Sequence, residues 1–339
     1  MEHSPLVSVI IPNYNHARYL GQRIDSVLQQ TYSNLEILIL DDCSPDNSRD
    51  IIEVYAKKDQ RIKTVYNEKN SGSTFKQWDK GISLCTGEYI WIAESDDYAD
   101  ASLVERLLAK IRVNPAIALA YCDSYDVDGE NIIHGKQSDA LGAVDAELWK
   151  HDFTVAGLPL VLRFMAYRNI IPNASAVLLR YAAAVQAGPA AAELIILGDW
   201  LYWVKIMSVG EVAYVASPLN YFRAHRNNVR SKTIANGTIL EEITSTLPLL
   251  KSYGPLDESL YKRKIAELAE SWFSTLVNVN TPFERHVKIY NNINSIEPGL
   301  GPKTVVKVFG KMFRNRLSGF KMLIGDGLIN PLLKRLFKK

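Results

Sequence analysis

Between Leu6 and Tyr121 short apolar runs alternate with stretches of helical period, and this alternation is the feature that most limits the folds open to the chain. An apolar run Leu6 to Ile11 precedes a helical stretch near Ala17 to Gln30, and a second run covers Leu35 to Leu40. The pattern continues with a helix near Asp46 to Lys58, a strand at Arg61 to Tyr66, a helix at Thr74 to Leu84 and a strand at Tyr89 to Ala93. A helix at Ser102 to Val113 then leads to a strand at Ala116 to Tyr121. Strands this apolar are buried on both faces, so the pattern predicts an α/β fold: a Rossmann-like, mostly parallel sheet flanked by helices. Ligands of such sheets bind at the carboxyl ends of the strands.

The polar residues collect at those ends. The first strand runs into Pro12-Asn13-Tyr14-Asn15, the second into Asp41-Asp42-Cys43-Ser44 and the fourth into Glu94-Ser95-Asp96-Asp97. Clustered carboxylates raise one another's pKa, and a divalent cation relieves that cost. Mg²⁺ or Mn²⁺, which prefer oxygen ligands and engage substrate phosphates, suit the cluster. Asp96 and Asp97 also suit a turn and N-cap ahead of the next helix, a purely local role. Asn70 to Trp78 combines a glycine turn with a helix start, where backbone N–H groups can meet donor oxygens. The segment has neither a P-loop nor a dinucleotide-binding glycine pattern, which argues against a kinase or a dinucleotide oxidoreductase.

The second half is less regular. The pattern weakens from Gly129 to about Arg168; Asn173 to Leu179 reads as a strand and Tyr181 to Gln186 as a helix. Gly198-Asp199-Trp200 opens an apolar helix through Ser208, and Ala213 to Tyr221 reads as one or two short strands. Helical composition follows at Leu240 to Tyr253, Ser259 to Val277 and Pro282 to Ile293, so the expected division is a domain over 1–237 and a helical C-terminal region over 238–339. The net charge of +2 gives no reason to expect nucleic-acid binding. Three cysteines without metal-ligand spacing favour a reducing, cytoplasmic setting, and neither a signal sequence nor a membrane-spanning run is expected.

Taken in order, Val7 to Asn15, Asp41 to Ser44, Asn70-Ser71-Gly72, Gly87-Glu88-Tyr89-Ile90 and Asp96-Asp97 resemble the motifs of family 2 glycosyltransferases, and the likeness runs from about Pro5 to His225. The resemblance implies a GT-A fold and an inverting, metal-dependent transfer from a nucleotide sugar. It implies that Pro12, Asn13, Tyr14, Asn15 and Asp42 hold the base and ribose, with Asp41 there too or bracing the loop. Asn70 and Gly72 would face the donor, Asp96 the ribose or the metal, and Asp97 would bind Mn²⁺ or Mg²⁺ directly. The common Asp-x-Asp-Asp pattern has Glu94 in its first place here, so Glu94 is either a ligand or a residue that satisfies backbone donors. Asp199-Trp200 resembles the segment whose Asp is the general base, with Gly198 in place of the usual Glu; a helix cap is the plainer reading of Asp199. Arg223 and His225 resemble a segment closing over the diphosphate, with Arg226 and Arg230 as alternative cations and a structural role open for His225. Trp78 either lines a sugar pocket or belongs to the core.

The implied reaction is sugar transfer to a glycan or lipid-linked glycan hydroxyl in cell-surface polysaccharide synthesis, with UDP-sugars ahead of dTDP-rhamnose. A catalytically silent nucleotide-sugar-binding module is the alternative, and a sugar nucleotidyltransferase is disfavoured because a glycine-rich, basic signature is missing after the first strand. From Lys303 onward, ten basic residues and one acidic residue interleave with apolar ones. Such a tail suits either an amphipathic element on an anionic membrane surface or a helix packed on its own domain.

Overall fold

The structure, a computed structural model, describes residues 4–224, 233–234, 236–278 and 281–314. Strands β1 (Val7–Asn13), β2 (Leu35–Asp41), β3 (Ile62–Tyr66) and β4 (Tyr89–Ile92) pair in parallel in the order β3-β2-β1-β4. All residues of β1, β2 and β4 are buried, which is why the sequence shows continuous apolar runs there rather than alternation. Helices α1 (Ala17–Leu28), α2 (Ser48–Lys58) and α3 (Thr74–Leu84) make the crossovers. Helix α3 lies so close to β1 that a Cβ on Gly81 would stand 2.5 Å from Ile10 Cγ2.

Beyond β4 the sheet becomes mixed. The next elements in the chain are β5 (Tyr98–Ala99), α4 (Leu103–Ile111), β6 (Ile117–Val127), β7 (Ile133–Lys136), α5 (Gln137–Leu141), β8 (Phe153–Ala156) and α6 (Gly157–Leu160). After them come β9 (Val177–Arg180), α7 (Tyr181–Ala187), α8 (Gly198–Met207) and β10 (Glu211–Arg223). Strand β9 inserts antiparallel between β4 and β6, and β10 runs parallel to β6. Short β5, β7 and β8 add antiparallel pairs at the margins.

Three expectations are corrected here. Strand β6 continues to Val127 because its polar end is paired rather than ending in a loop: Asp123 to Val127 lie along β10, and Tyr125 to Val127 are paired with β7 on the other side. Strand β10 is one long strand with register shifts around Pro218 rather than short pieces, since proline donates no ladder hydrogen bond. The strand expected from Asn173 begins at Val177, because Asn173 Oδ1 accepts from Ser175 N–H at 2.8 Å and caps a short 3₁₀ turn.

The described residues divide into two compact units: the chain to Val161 with Asn169 through β10, and Leu162–Arg168 with the residues that follow. In the second, α9 (Thr238–Ser252), α10 (Glu258–Asn278), α11 (Phe283–Ile296) and α12 (Leu300–Arg314) bury Leu247, Leu268, Trp272, Ile289, Ile293 and Met312. Trp272 Nε1–H donates to His286 Nδ1 at 3.1 Å, and burial pulls the imidazole down to about 4, which keeps it a neutral acceptor.

At the amino edge of the sheet, Glu36 ties three strands together. It accepts from Ser8 Oγ, from Thr86 N–H and Oγ1–H, and pairs with Lys63 Nζ at 2.9 Å. Burial alone would raise its pKa, but these donors outweigh burial and hold it at about 2. Its stabilisation is therefore present above the unfolded value near 4.5 and is lost as pH falls toward 2. Glu36→Gln should cost about 1–3 kcal/mol at neutral pH. Urea unfolding should show the wild type losing stability between pH 5 and pH 3 more steeply than the variant; parallel pH profiles would contradict the assignment.

Candidate functional site

Three loops at the carboxyl ends of β1, β2 and β4 carry the expected residues. In the first, Pro12 pairs with Leu40 near the end of β1, and Asn13 Nδ2–H donates to Asp41 Oδ1 at 2.8 Å and Ser44 Oγ at 3.1 Å. Asn13 Oδ1 is buried without a partner among the described residues, an acceptor that a ligand donor would satisfy. Tyr14 is 46% exposed, and Asn15 holds a left-handed backbone (φ 59°) while its N–H meets Ser44 Oγ. Cys43, in the second loop, has the same φ of 59°, so both loops keep a conformation that non-glycine residues adopt at a cost.

Asp41 braces the loop, one of the two readings open from sequence: it accepts from Asn13 Nδ2, Ser44 N–H and Ser44 Oγ. Asp42 is buried and accepts from Ser71 N–H at 2.9 Å, Ser71 Oγ at 2.7 Å, Asn67 Nδ2 at 2.5 Å and Gln77 Nε2 at 3.1 Å. It thereby fixes the Asn70-Ser71-Gly72 turn. Asn70 Oδ1 accepts from Gly72 N–H, and Gly72 sits at φ 75° with open space around its missing side chain. Backbone conformation therefore demands the glycine there.

The third loop is the acidic run. Asp97 N–H donates to Glu94 O at 3.2 Å, so the run is a turn as expected on local grounds, but it caps no helix: α4 starts at Leu103 and Asp100 Oδ1 takes Ser102 N–H. Two buried arginines clamp the turn. Arg23 Nε–H donates to Glu94 O at 2.8 Å, and its terminal nitrogens, fully buried, have no hydrogen-bond partner among the described residues. Burial lowers its pKa to about 10, while Asp97, Asp96 and Glu94 hold it up. Arg223 donates from Nε to Asp96 O at 2.6 Å and from its backbone N–H to Asp97 Oδ1 at 2.9 Å.

Three further Arg223 N–H groups donate to Asp128 O, Asn131 Oδ1 and Gln22 Oε1, and the guanidinium lies over the Tyr19 and Tyr98 rings. This corrects the expected phosphate contact: Arg223 is 2% exposed and four of its five guanidinium N–H groups meet protein acceptors, so it shapes the acidic turn. His225, Arg226 and Arg230 lie outside the described residues.

Burial, and then the neighbouring Asp96 charge, push Asp97 above the usual carboxylate range, and the same two causes push Glu94 up to about 8. Such carboxyls favour a cation. Among the described residues no three His, Cys, Asp or Glu side chains converge as a complete ligand set. This donor set fits Mn²⁺ or Mg²⁺ held by one or two carboxylates plus a diphosphate, the usual arrangement for these ions. Glu94 Oε1 accepts from Trp78 Nε1–H at 2.7 Å.

Asp199 lies in the first turn of α8, inside the helix rather than at its N-cap, which is Leu197. Its Oδ1 accepts from Trp200 N–H at 2.6 Å, and its Oδ2 lies 3.5 Å from Asn169 Nδ2. The helix N-terminus favours the ionised carboxylate there. The missing Glu before it has a steric reason: a Cβ on Gly198 would run into the Phe75 ring.

Sequence reasoning missed Arg23, Ser175 and His16. Ser175 Oγ accepts Glu94 N–H at 3.0 Å, and His16 Nδ1 shares a hydrogen bond with Ser95 Oγ at 2.8 Å. The signal for Arg23 was present: it falls on the apolar stripe Leu20, Ile24, Val27 of α1, where a charge needs a reason.

Solved structures share the fold. The chain superposes on Staphylococcus aureus TarS 1–349 in complex with UDP-GlcNAc with a TM-score of 0.67 over 91% of each chain, at 18% identity. A mannosyltransferase of Pyrobaculum calidifontis, solved with GDP-Man and Mn²⁺, superposes at 0.56 over 100% of this chain and 89% of its own, at 13% identity. The fold is that of a GT-A glycosyltransferase. The profile of glycosyl transferase family 2 matches residues 8–170, and that segment is a family 2 glycosyltransferase domain. Glycosyltransferase GlyG of Streptococcus pneumoniae is 35% identical over 129 residues, 38% of this chain and 42% of GlyG. TuaG of Bacillus subtilis is 41% identical over 104 residues, 31% of this chain and 41% of TuaG. The match thus spans less than half the length of either relative.

Arg23→Met leaves Glu94 O without its donor and removes the charge beneath three carboxylates. It should destabilise the protein by about 3 kcal/mol at pH 7 in urea unfolding; a loss below about 0.5 kcal/mol would contradict the clamp.

Proposed function

We propose that the chain is an inverting, metal-dependent glycosyltransferase that moves a sugar from a nucleotide-sugar donor to a hydroxyl of a glycan or lipid-linked glycan in cell-surface polysaccharide synthesis. The observation that carries this reading is the buried carboxylate of Asp97, raised in pKa and oriented by Arg223 N–H, on a turn at the carboxyl end of β4. The GT-A fold, the family profile and the donors bound in TarS and the mannosyltransferase support it. TuaG, which carries teichuronic acid biosynthesis in its name, supports the polysaccharide assignment. UDP-hexose or UDP-N-acetylhexosamine is the first donor class, with dTDP-rhamnose second.

In this reading Pro12 to Asn15, Asp42, Asn70 and Gly72 form the nucleotide side, and Asn13 Oδ1 supplies a free acceptor for a base N–H. Asp97, with Asp96, would hold Mn²⁺ or Mg²⁺, which supplies positive charge to the departing diphosphate. Asp199 takes the proton of the acceptor hydroxyl as that oxygen bonds to the anomeric carbon. The bond from that carbon to the diphosphate oxygen breaks, and the electron pair leaves with the nucleotide. The catalytic part is residues 1–237 and the helical remainder an appendage.

We also propose that the appendage docks on an anionic membrane surface. Helix α12 buries Leu300, Thr304, Val308 and Met312, yet exposes Val306, Phe309 and Phe313 beside Lys303, Lys307 and Arg314. No helix among the described residues is long and apolar enough to cross a membrane. Phosphatidylglycerol vesicles should sediment the protein and phosphatidylcholine vesicles should not, with Phe313→Ser weakening the former; equal recovery with both lipids would contradict docking.

For the chemistry, calorimetry with UDP should show binding that depends on Mn²⁺. Asp97→Asn should weaken it by at least about tenfold, whereas Asp199→Asn should spare it and lower transfer by about 10²–10⁴-fold. Normal transfer by Asp199→Asn would remove the base assignment, and donor binding without turnover in the wild type would favour a silent module.

A further inference from the structure

Glu94 and Trp78 have no role in the transfer just described, yet their contact joins the acidic turn to α3, whose Trp78 ring packs on the helix that bears Asp199. Trp78 is 2% exposed. Its indole N–H donates to Glu94 Oε1 at 2.7 Å, which fixes how the ring is turned. The contrast with Trp203 is informative: its Nε1 is buried with no partner among the described residues, so the cluster has no other hydrogen bond that would orient an indole.

From Trp78 the contact passes on through packing. Its ring lies 5.8 Å from Trp203 and 6.1 Å from Tyr202, both on α8, and 5.2 Å edge-on to Phe75. Phe75 in turn occupies the space beside Gly198, the residue immediately before Asp199. Rings packed this closely cannot turn independently, so the indole sets the placement of the first turn of α8 against the end of β4. The Glu94 end is held as well, by Arg23 Nε–H on its carbonyl and by Ser175 Oγ on its N–H.

We propose that Glu94 and Trp78 are positioning residues, which set the Asp199 carboxylate against the donor held at Asp97, and that Glu94 is not a metal ligand. The proposal rests on the transferase reading above. It requires an oxygen acceptor at position 94, not a charge. A metal ligand would lose much of its hold on Mn²⁺ with the charge.

The test compares Trp78→Phe, Glu94→Gln and Glu94→Ala with the wild type. Two readouts are used: calorimetric binding of UDP with Mn²⁺, and the rate of UDP release from UDP-N-acetylglucosamine or UDP-glucose, whichever the wild type consumes faster. Trp78→Phe, which keeps a ring but loses the N–H, should bind Mn²⁺ and UDP within about threefold of the wild type while kcat falls at least about tenfold. Glu94→Gln keeps the oxygen that accepts the indole N–H, so it should bind Mn²⁺ and UDP within about threefold and turn over at least about fivefold faster than Glu94→Ala. If Trp78→Phe unfolds, the two Glu94 variants decide. Loss of Mn²⁺-dependent UDP binding in Glu94→Gln, as expected for Asp97→Asn, would overturn the proposal by making Glu94 a ligand. So would wild-type kcat in Trp78→Phe, or equal kcat in the two Glu94 variants. A wild type that consumes neither donor and binds UDP without regard to Mn²⁺ would instead contradict the transferase reading itself.

Discussion

Everything at the carboxyl rim depends on how Arg23 and Arg223 hold one acidic turn. Glu94, Asp96 and Asp97 stand within four residues at the end of a fully buried strand, where like charges and poor solvation oppose ionisation. Arg23, from α1, grips the carbonyl at the start of the turn and brings a buried positive charge beneath the carboxylates. Arg223, at the end of β10, grips the carbonyl of Asp96 and presents its own N–H to Asp97. Elements far apart in sequence thus meet at four residues, and protein contacts alone hold the backbone of the turn.

Two further loops reach the rim beside this turn. The parallel strands β1 and β2 bring the loops of Asn13 and Asp42 to the same rim, and Asp42 organises its own turn through Ser71 and Gln77. The left-handed residues Asn15 and Cys43 show backbone strain retained in two loops at once. Strain of this kind persists when surrounding contacts over-determine it, as Ser44 does here through Asp41, Asn13 and Asn15.

Much of this was legible in the sequence. The runs forming β1, β2 and β4 are apolar because both faces are buried, and the polar residues that follow them mark the rim. Less legible were the parts decided by pairing partners. Strand β9 reads like its neighbours although it runs antiparallel to them, and Asp123 to Asp126 extend β6 despite a polar composition that suggests a loop. Arg223 misled for a physical reason: a cation near a diphosphate site suggests a phosphate contact, whereas burial and five protein acceptors, one of them taking its backbone N–H, give it a structural task. Gly198 is the converse case. The sequence showed a departure from the family pattern, and only the Phe75 ring explains why a side chain has no room there.

The central claim is that the clamped turn is where a metal and a nucleotide meet, through Asp97. Crystals grown with Mn²⁺ and UDP test it most directly, by anomalous scattering recorded at a wavelength where manganese scatters strongly. The account predicts a manganese peak in coordinating contact with an Asp97 carboxylate oxygen and with both phosphates of UDP, and Arg223 still bonded to Asp96 O. A peak bound by other residues, or a diphosphate bound with no manganese beside Asp97, would contradict it.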